Sequence, residues 1–292
     1  MQFLIGFLLF GTLVYAEDVQ QPSGYNPVNG YMKNIGIPEA ERIRKAEEAS
    51  LRIVGGVPAA LGQYPFKAGI LGSVVHGGLT VTSVCGGSLI SASRVLTAAH
   101  CWNDGVHQAW RLTIVLGSVY LFSGGTRVET SAVAVHPSWS PTLLRNDIAV
   151  VYLPTPVSLS ATIAPVALPS GSELFETFVR ERAIAIGFGK TSDGGSISSN
   201  QFLSHASVSV ITNSDCSWAF PLVLQSSNIC TSGLGGVGFC GGDSGGPLII
   251  NRNNRQLLIG VASIGSTMGC ESGFPNAYAR VTSFMDFINQ NI

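Results

Sequence analysis

From Ile53 to the C-terminus the chain is built of short strand-forming runs broken by glycine and asparagine, and that punctuation excludes most architectures. Candidate strands are Phe66–Leu71, Ser83–Ile90, Leu112–Leu121, Val128–Val135, Ile148–Leu153, Ala183–Phe188 and Ala206–Val210. A hairpin joins Leu248–Ile250 to Leu257–Val261 and turns at Asn251-Arg252-Asn253-Asn254, residue types that tolerate positive φ. Many short strands of this kind indicate a sandwich or a barrel. Only the end of the chain changes period. Phe284, Phe287 and Ile288 fall at helical spacing, and Ser283 with Asp286 makes a capping-box pattern, so a C-terminal helix is expected. No repeat of solenoid period is present.

Composition agrees with a packed globule. Of 292 residues, 46% are hydrophobic, 11% are charged and 35 are glycine, enough for one large all-β domain or two smaller ones. The net charge of −1 gives no reason to expect nucleic acid or an acidic membrane surface as a partner.

The N-terminal stretch differs from the rest. Met1–Ala16 carries an apolar run from Phe3 to Val14 and a small-residue ending, the pattern of a secretory signal, although its first residues lack Lys and Arg. The run is too short to span a bilayer comfortably. Residues 17–52 are cysteine-free, and their second half, Pro38–Ala49, is charged and helix-permissive. They read as a detachable pro-segment ending at Arg52, ahead of Ile53-Val54-Gly55-Gly56. The expected division is therefore signal 1–16, pro-segment 17–52 and main domain 53–292, with a secreted, extracellular product. Six cysteines, an even number in a secretory context, favour disulfides and leave their pairing open. Without Cys-x-x-Cys or a helically spaced His pair, no structural zinc is expected.

The chemistry concentrates in Cys240-Gly241-Gly242-Asp243-Ser244-Gly245-Gly246-Pro247. A serine among glycines can be approached closely, and its neighbours' N–H groups can face an oxyanion. Gly-x-Ser-x-Gly alone also fits the nucleophile elbow of α/β-hydrolases or a bland turn. Chain order separates these, because an α/β-hydrolase needs its histidine after the serine. His76, His100, His107, His136 and His205 all precede Ser244. His100, in Thr97-Ala98-Ala99-His100-Cys101, is the best-anchored candidate for a general base. Asp147 opens the apolar run Ile148-Ala149-Val150-Val151, where a carboxylate must be compensated, and an imidazole N–H is a natural donor.

Taken in order, Arg52-Ile53-Val54-Gly55-Gly56, Thr97–Cys101, Asp147-Ile148-Ala149 and Gly242–Pro247 resemble the chymotrypsin family of serine proteases across residues 53–292. Gly187–Gly194 and the charged pro-segment are similar to insect digestive chymotrypsins of the lepidopteran type and to arthropod collagenolytic serine proteases. The resemblance implies an all-β fold of two packed six-stranded antiparallel barrels with a C-terminal helix. It implies a zymogen cut after Arg52 and an acyl-enzyme mechanism on His100, Asp147 and Ser244, with Gly242 and Ser244 as oxyanion-hole donors. Ser263 would support Asp147, and Asp243 would pair with the new Ile53 ammonium. Disulfides Cys85–Cys101, Cys216–Cys230 and Cys240–Cys270 are implied as well.

Gly238, six residues before Ser244, would form the floor of the substrate pocket, with Ser263, Ile264 and Gly265 along its edge and Asn276 near its base. An uncharged floor and a glycine at the mouth imply a deep pocket open to rings, cutting after Phe, Tyr or Leu. Three departures from the family stand out: Phe188 and Ile264 replace tryptophans, and Asn276 replaces a glycine. No metal or organic cofactor is required. The expected partners are protein and peptide substrates, an activating trypsin-like protease and protein protease inhibitors, for a monomer acting extracellularly, as in a gut lumen. The alternatives are a catalytically dead binding homologue, which intact His100, Asp147 and Ser244 disfavour, and a narrow-specificity cascade protease, which the cysteine-free pro-segment disfavours. Finally, 4 lysines against 12 arginines suggest tolerance of alkaline conditions.

Overall fold

The structure, a computed structural model, describes residues 28–50, 60–189, 202–266 and 268–292. The expected signal Met1–Ala16 and the junction Arg52–Ile53 lie outside the described residues.

The described part of the expected pro-segment is largely helical, and its helix includes the Pro38–Ala49 stretch read as helix-permissive. A π-helical turn, Met32–Gly36, runs into helix α1 (Ile37–Ser50), which has Pro38 and Glu39 in its first turn. Glu41 pairs with Arg44 and Lys45, and Arg44 reaches Glu48, all on an exposed face. Such pairs, screened by solvent, favour the helix only weakly. The opposite face, Ala40, Ile43, Ala46 and Glu47, is buried against the main domain.

The first sheet contains β1 (Lys67–His76), β2 (Leu79–Ser91), β3 (Arg94–Thr97), β4 (Ala109–Leu116), β5 (Thr126–Thr130), β6 (Val133–Val135) and β7 (Ala149–Tyr152). Its order is β5-β4-β1-β2-β3-β7-β6, antiparallel between neighbours. β5 and β6 are separated only by Ser131-Ala132 yet pair at opposite edges of the sheet. Counted as one bent strand, the expected Val128–Val135 run, they close the sheet into a six-stranded barrel. The second sheet is a closed barrel ordered β10-β13-β12-β11-β8-β9. Its strands are β8 (Arg182–Gly187), β9 (Ser204–Ile211), β10 (Asn228–Thr231), β11 (Pro247–Arg252), β12 (Arg255–Ile264) and β13 (Asn276–Arg280).

Local chemistry explains where expectation and structure differ. β1 continues past Leu71 because Gly77 and Gly78, at φ 60° and 78°, allow a two-residue turn into β2. The expected Leu112–Leu121 strand stops at Leu116, where Gly117 adopts φ 64°. β3, β10 and β13 escaped the sequence reading because they are short and mix polar with apolar residues. The β11–β12 hairpin turns on Asn253 and Asn254, both at positive φ.

The C-terminal helix forms, but without the capping box. Val281–Phe284 is a 3₁₀ turn, helix α3 (Met285–Asn291) starts after it, and the cap residue is Phe284, with no side-chain hydrogen bond. Packing fixes it instead. Phe284, Phe287 and Ile288 are buried, and Asn291 accepts from Arg94 Nε through its carbonyl and from Tyr152 O–H through its side chain.

At the head of β1, Lys67 is buried, and its Nζ has no hydrogen-bond partner among the described residues. Burial brings its pKa down to about 8, against the opposing pull of Asp243. A lysine with a depressed native pKa binds fewer protons folded than unfolded between the two values. Its unfavourable burial is therefore relieved as pH rises from about 8 to about 10.5. Relative to Lys67→Met, the wild-type protein should gain on the order of a few kcal/mol over that window. Denaturant titrations of both proteins at pH 7.5 and 10.5 (roughly bracketing the native and unfolded pKa values) would test this; parallel stabilities would refute it.

Candidate active site

His100 sits in a 3₁₀ turn, Ala99–Cys101, just after β3. The disulfide Cys85–Cys101 ties that turn to β2, with S–S 2.04 Å. The other two bridges join Cys216 to Cys230 and Cys240 to Cys270, as the resemblance implied.

Asp147 enters the interior from Asn146, which takes φ 57°. Its carboxylate is buried and fully engaged. Oδ1 accepts the His100 backbone N–H at 3.0 Å. Oδ2 accepts from His100 Nδ1 at 2.7 Å and from Ser263 Oγ at 2.6 Å. Burial pushes this carboxyl up, but the neighbouring imidazole and the three hydrogen bonds outweigh it and hold the group below the usual range. The charged form persists at neutral pH and fixes the tautomer, so His100 Nε2 is left as the working nitrogen. Ser263 reaches Asp147 because β12 shifts register against β13 between Ala262 and Ile264.

Ser244 is pinned from both barrels. Its carbonyl accepts from Gly86 N–H on β2 at 2.6 Å, and the next N–H, of Gly245, bonds Ala262 O on β12 at 2.8 Å. Gly245 stands at φ 77°, and a Cβ there would lie 2.5 Å from Gly86 O. Only glycine fits. Gly242, the expected oxyanion donor, has φ 97°.

Asp243 turns away from Ser244. Its Oδ1 accepts from Gly189 N–H at 2.7 Å and its Oδ2 from Cys240 N–H at 2.9 Å. Side chains at Gly187 or Gly189 would collide with it, which accounts for glycines on both sides of Phe188. Burial raises this carboxyl, and no ion pair reaches it among the described residues. The expected partner Ile53 lies outside them.

The substrate pocket departs from expectation. Asn276 is buried with its amide against Gly238, where a Cβ would overlap it. A ring stands beside the expected mouth. Phe239, beside Gly238, extends its ring to within 3.1 Å of where a Gly265 Cβ would stand. The pocket is therefore narrower than a glycine floor and a glycine mouth implied. The signal was available, since Phe239 adjoins the predicted floor, but its side-chain direction cannot be read from spacing. Ile264 is buried at the edge of the same region.

Donor atoms of Cys85, His100 and Cys101 converge, yet both sulfurs belong to the disulfide, leaving one nitrogen and no ligand set for a metal. Among the described residues no helix is long and apolar enough to cross a membrane.

Asp147 links His100 on the first barrel to Ser263 on the second by hydrogen bonds, and Ser244, between glycines, stands on the second barrel across the seam from His100. Such a set suits nucleophilic acyl transfer. Comparison with known proteins agrees. The trypsin family model matches residues 53–288. Brachyurin of Leptuca pugilator is 37% identical over 239 residues, 81% of this chain and 96% of its own. A collagenase of Hypoderma lineatum is 37% identical over 82% of this chain and 87% of its own. Among solved structures, HL collagenase superposes with a TM-score of 0.70 at 36% identity, covering 82% of this chain and 98% of that one.

Proposed function

The chain belongs to the trypsin family and is a serine endopeptidase, and from that footing we propose that it is a secreted zymogen with a chymotrypsin-like preference and a digestive role. The observation that carries the catalytic assignment is the buried Asp147 carboxylate, which holds His100 Nδ1 at 2.7 Å and Ser263 at 2.6 Å.

In this reading Ser244 Oγ attacks the scissile carbonyl carbon and His100 Nε2 takes its proton. The carbonyl oxygen becomes an oxyanion held by the N–H groups of Gly242 and Ser244. Asp147 stabilises the imidazolium. His100 then protonates the leaving amine, and water hydrolyses the acyl-enzyme by the same steps reversed. Cleavage after Arg52 frees the Ile53 ammonium, which replaces two backbone donors as the partner of Asp243 and orders the Gly242 loop. A buried ammonium–carboxylate pair of this sort is costly to break, about 3–5 kcal/mol when one partner is lost.

Charge and volume set the proposed specificity. Gly238 offers no carboxylate, so a Lys or Arg side chain would arrive desolvated and unpaired. Phe, Tyr and Leu are the proposed residues before the cut, and the Phe239 ring with the Asn276 amide favours Leu among them. The partners proposed are protein substrates, a trypsin-like activator and protein inhibitors, met by a monomer outside the cell.

Three outcomes are expected. Ser244→Ala should lower turnover by at least about a thousandfold while the three disulfides still form, as peptide hydrolysis and thiol counts would show. An Arg52→Gln precursor that stays uncut should be inactive, and full activity in it would contradict the ammonium switch. On matched peptides, uncharged residues should outrank Arg and Lys, and Phe239→Ala should shift preference from Leu toward Phe by about tenfold in kcat/KM.

A further inference from the structure

The pro-segment does not merely lead to the cut. It lies across the candidate active site. His100 is fully buried and Ser244 is 6% exposed, and the element covering them is residues 28–47. The Tyr31 ring stands edge-on to the His100 imidazole with centroids 4.6 Å apart. Its O–H donates to Val84 O at 2.9 Å, and its other polar neighbours are the Ser244 side chain and the Gly242 N–H. The phenol oxygen thus lies beside the Gly242 N–H assigned to the scissile oxygen. His100 Nε2 has no hydrogen-bond partner among the described residues.

From the geometry we infer that residues 28–48 are an inhibitor module, which binds the substrate cleft of the peptidase domain through Tyr31 and can hold it closed after the chain is cut at Arg52. The inference rests on the peptidase reading of the site and goes beyond it, since cleavage alone then does not free the cleft.

The contacts have the character of a docked ligand. Ahead of Tyr31, Val28 is buried in the cluster that also holds Leu144 and Ile264. Two backbone donors anchor the entry to buried Asp104: Gly30 N–H to its carbonyl at 3.2 Å and Met32 N–H to its carboxylate at 2.7 Å. Gly36 packs on Ser83 with no space for a side chain, and Glu39 lies against Gly241. Ile43 is fully buried, its Cδ1 3.6 Å from where a Gly242 Cβ would be. At the far end the Glu47 carboxylate accepts the N–H groups of Leu121 and Phe122. The segment is held at both ends by carboxylate–amide bonds, with an aromatic anchor between, the pattern of a few residues that carry most of an interface's energy.

The segment also fails as a substrate, for a geometric reason. Peptidase clefts take extended chain, whereas Met32–Ser50 is helical and satisfies its own backbone. What reaches Ser244 is a side-chain hydroxyl, which has no acyl carbon to attack. Burial keeps that phenol neutral, so it remains a donor to Val84 O.

The test uses the full chain with residues 49–52 exchanged for an enteropeptidase recognition sequence, so that cutting spares Lys33, Arg42, Arg44 and Lys45. After complete cleavage, the wild-type segment should co-elute with the peptidase domain on gel filtration near 10 µM (roughly the range where a micromolar complex persists). Turnover of a small peptide, per molecule of domain, should rise about tenfold or more on dilution to nanomolar concentration. Tyr31→Ala should elute as separate pieces and show no dilution effect; Tyr31→Phe, which keeps the ring, should fall between. Loss of the wild-type segment on the column, or equal turnover of wild type and Tyr31→Ala at every concentration, would overturn the inference. Co-elution with no turnover at any dilution in either protein would instead sink the peptidase reading and leave the docked segment standing.

Discussion

The buried carboxylate of Asp147 is the constraint around which the two barrels are arranged. It cannot be solvated, so each oxygen must find donors, and those donors come from both halves of the molecule. His100 supplies a ring nitrogen and a backbone N–H from the first barrel, and Ser263 supplies a hydroxyl from the second. The same seam fixes Ser244, whose flanking groups bond Gly86 on one side and Ala262 on the other. A change in barrel packing large enough to break these bonds would leave an uncompensated charge, and the site therefore reports on the fold as a whole.

Legibility in the sequence followed the locality of the physics. Turns that need positive φ were visible, because Asn253-Asn254 at the β11–β12 hairpin states its own geometry. The ordering of His100, Asp147 and Ser244 was visible because it excludes a competing fold. Partnerships across the molecule were a different matter. The link from Ser263 to Asp147 and the disulfide pairs came only through family resemblance, since nothing local specifies them. The misreadings share a cause as well. Ser283 and Asp286 satisfy the spacing of a capping box, yet burial of Phe284 draws the chain into a 3₁₀ turn first. A glycine at Gly265 suggested an open pocket, and a ring five residues before Ser244 narrows it from the other side.

Asp243 is where the proposed activation would act. Its oxygens take the N–H groups of Gly189 and Cys240, and the two glycines around Phe188 leave the room it needs. Two amide bonds satisfy lone pairs without supplying a countercharge, and the carboxyl is accordingly raised by burial. A nearby Lys67, itself buried, contributes only a partial field. Among the described residues the carboxylate is therefore satisfied in hydrogen bonds and without an ion pair, the condition under which the ammonium proposed to arrive at Ile53 would gain most.

The helical pro-segment adds a constraint of a different kind. A peptide that blocks a peptidase must touch the nucleophile without offering it a bond to break, and must stay soluble when released. Both demands are met by one helix with two faces. The buried face presents Ile43 and Ala46, with Tyr31 ahead of it, so that contact with the reacting groups is made by side chains while the backbone carbonyls remain in helical hydrogen bonds. The outer face carries Glu41, Arg44, Lys45 and Glu48 in mutual pairs that a free helix retains. The absence of cysteine between Met1 and Val84 means that no disulfide holds the segment to the domain, so its retention is set by affinity alone. Cutting and release are then separate events, and local concentration, in addition to proteolysis, governs when the cleft opens.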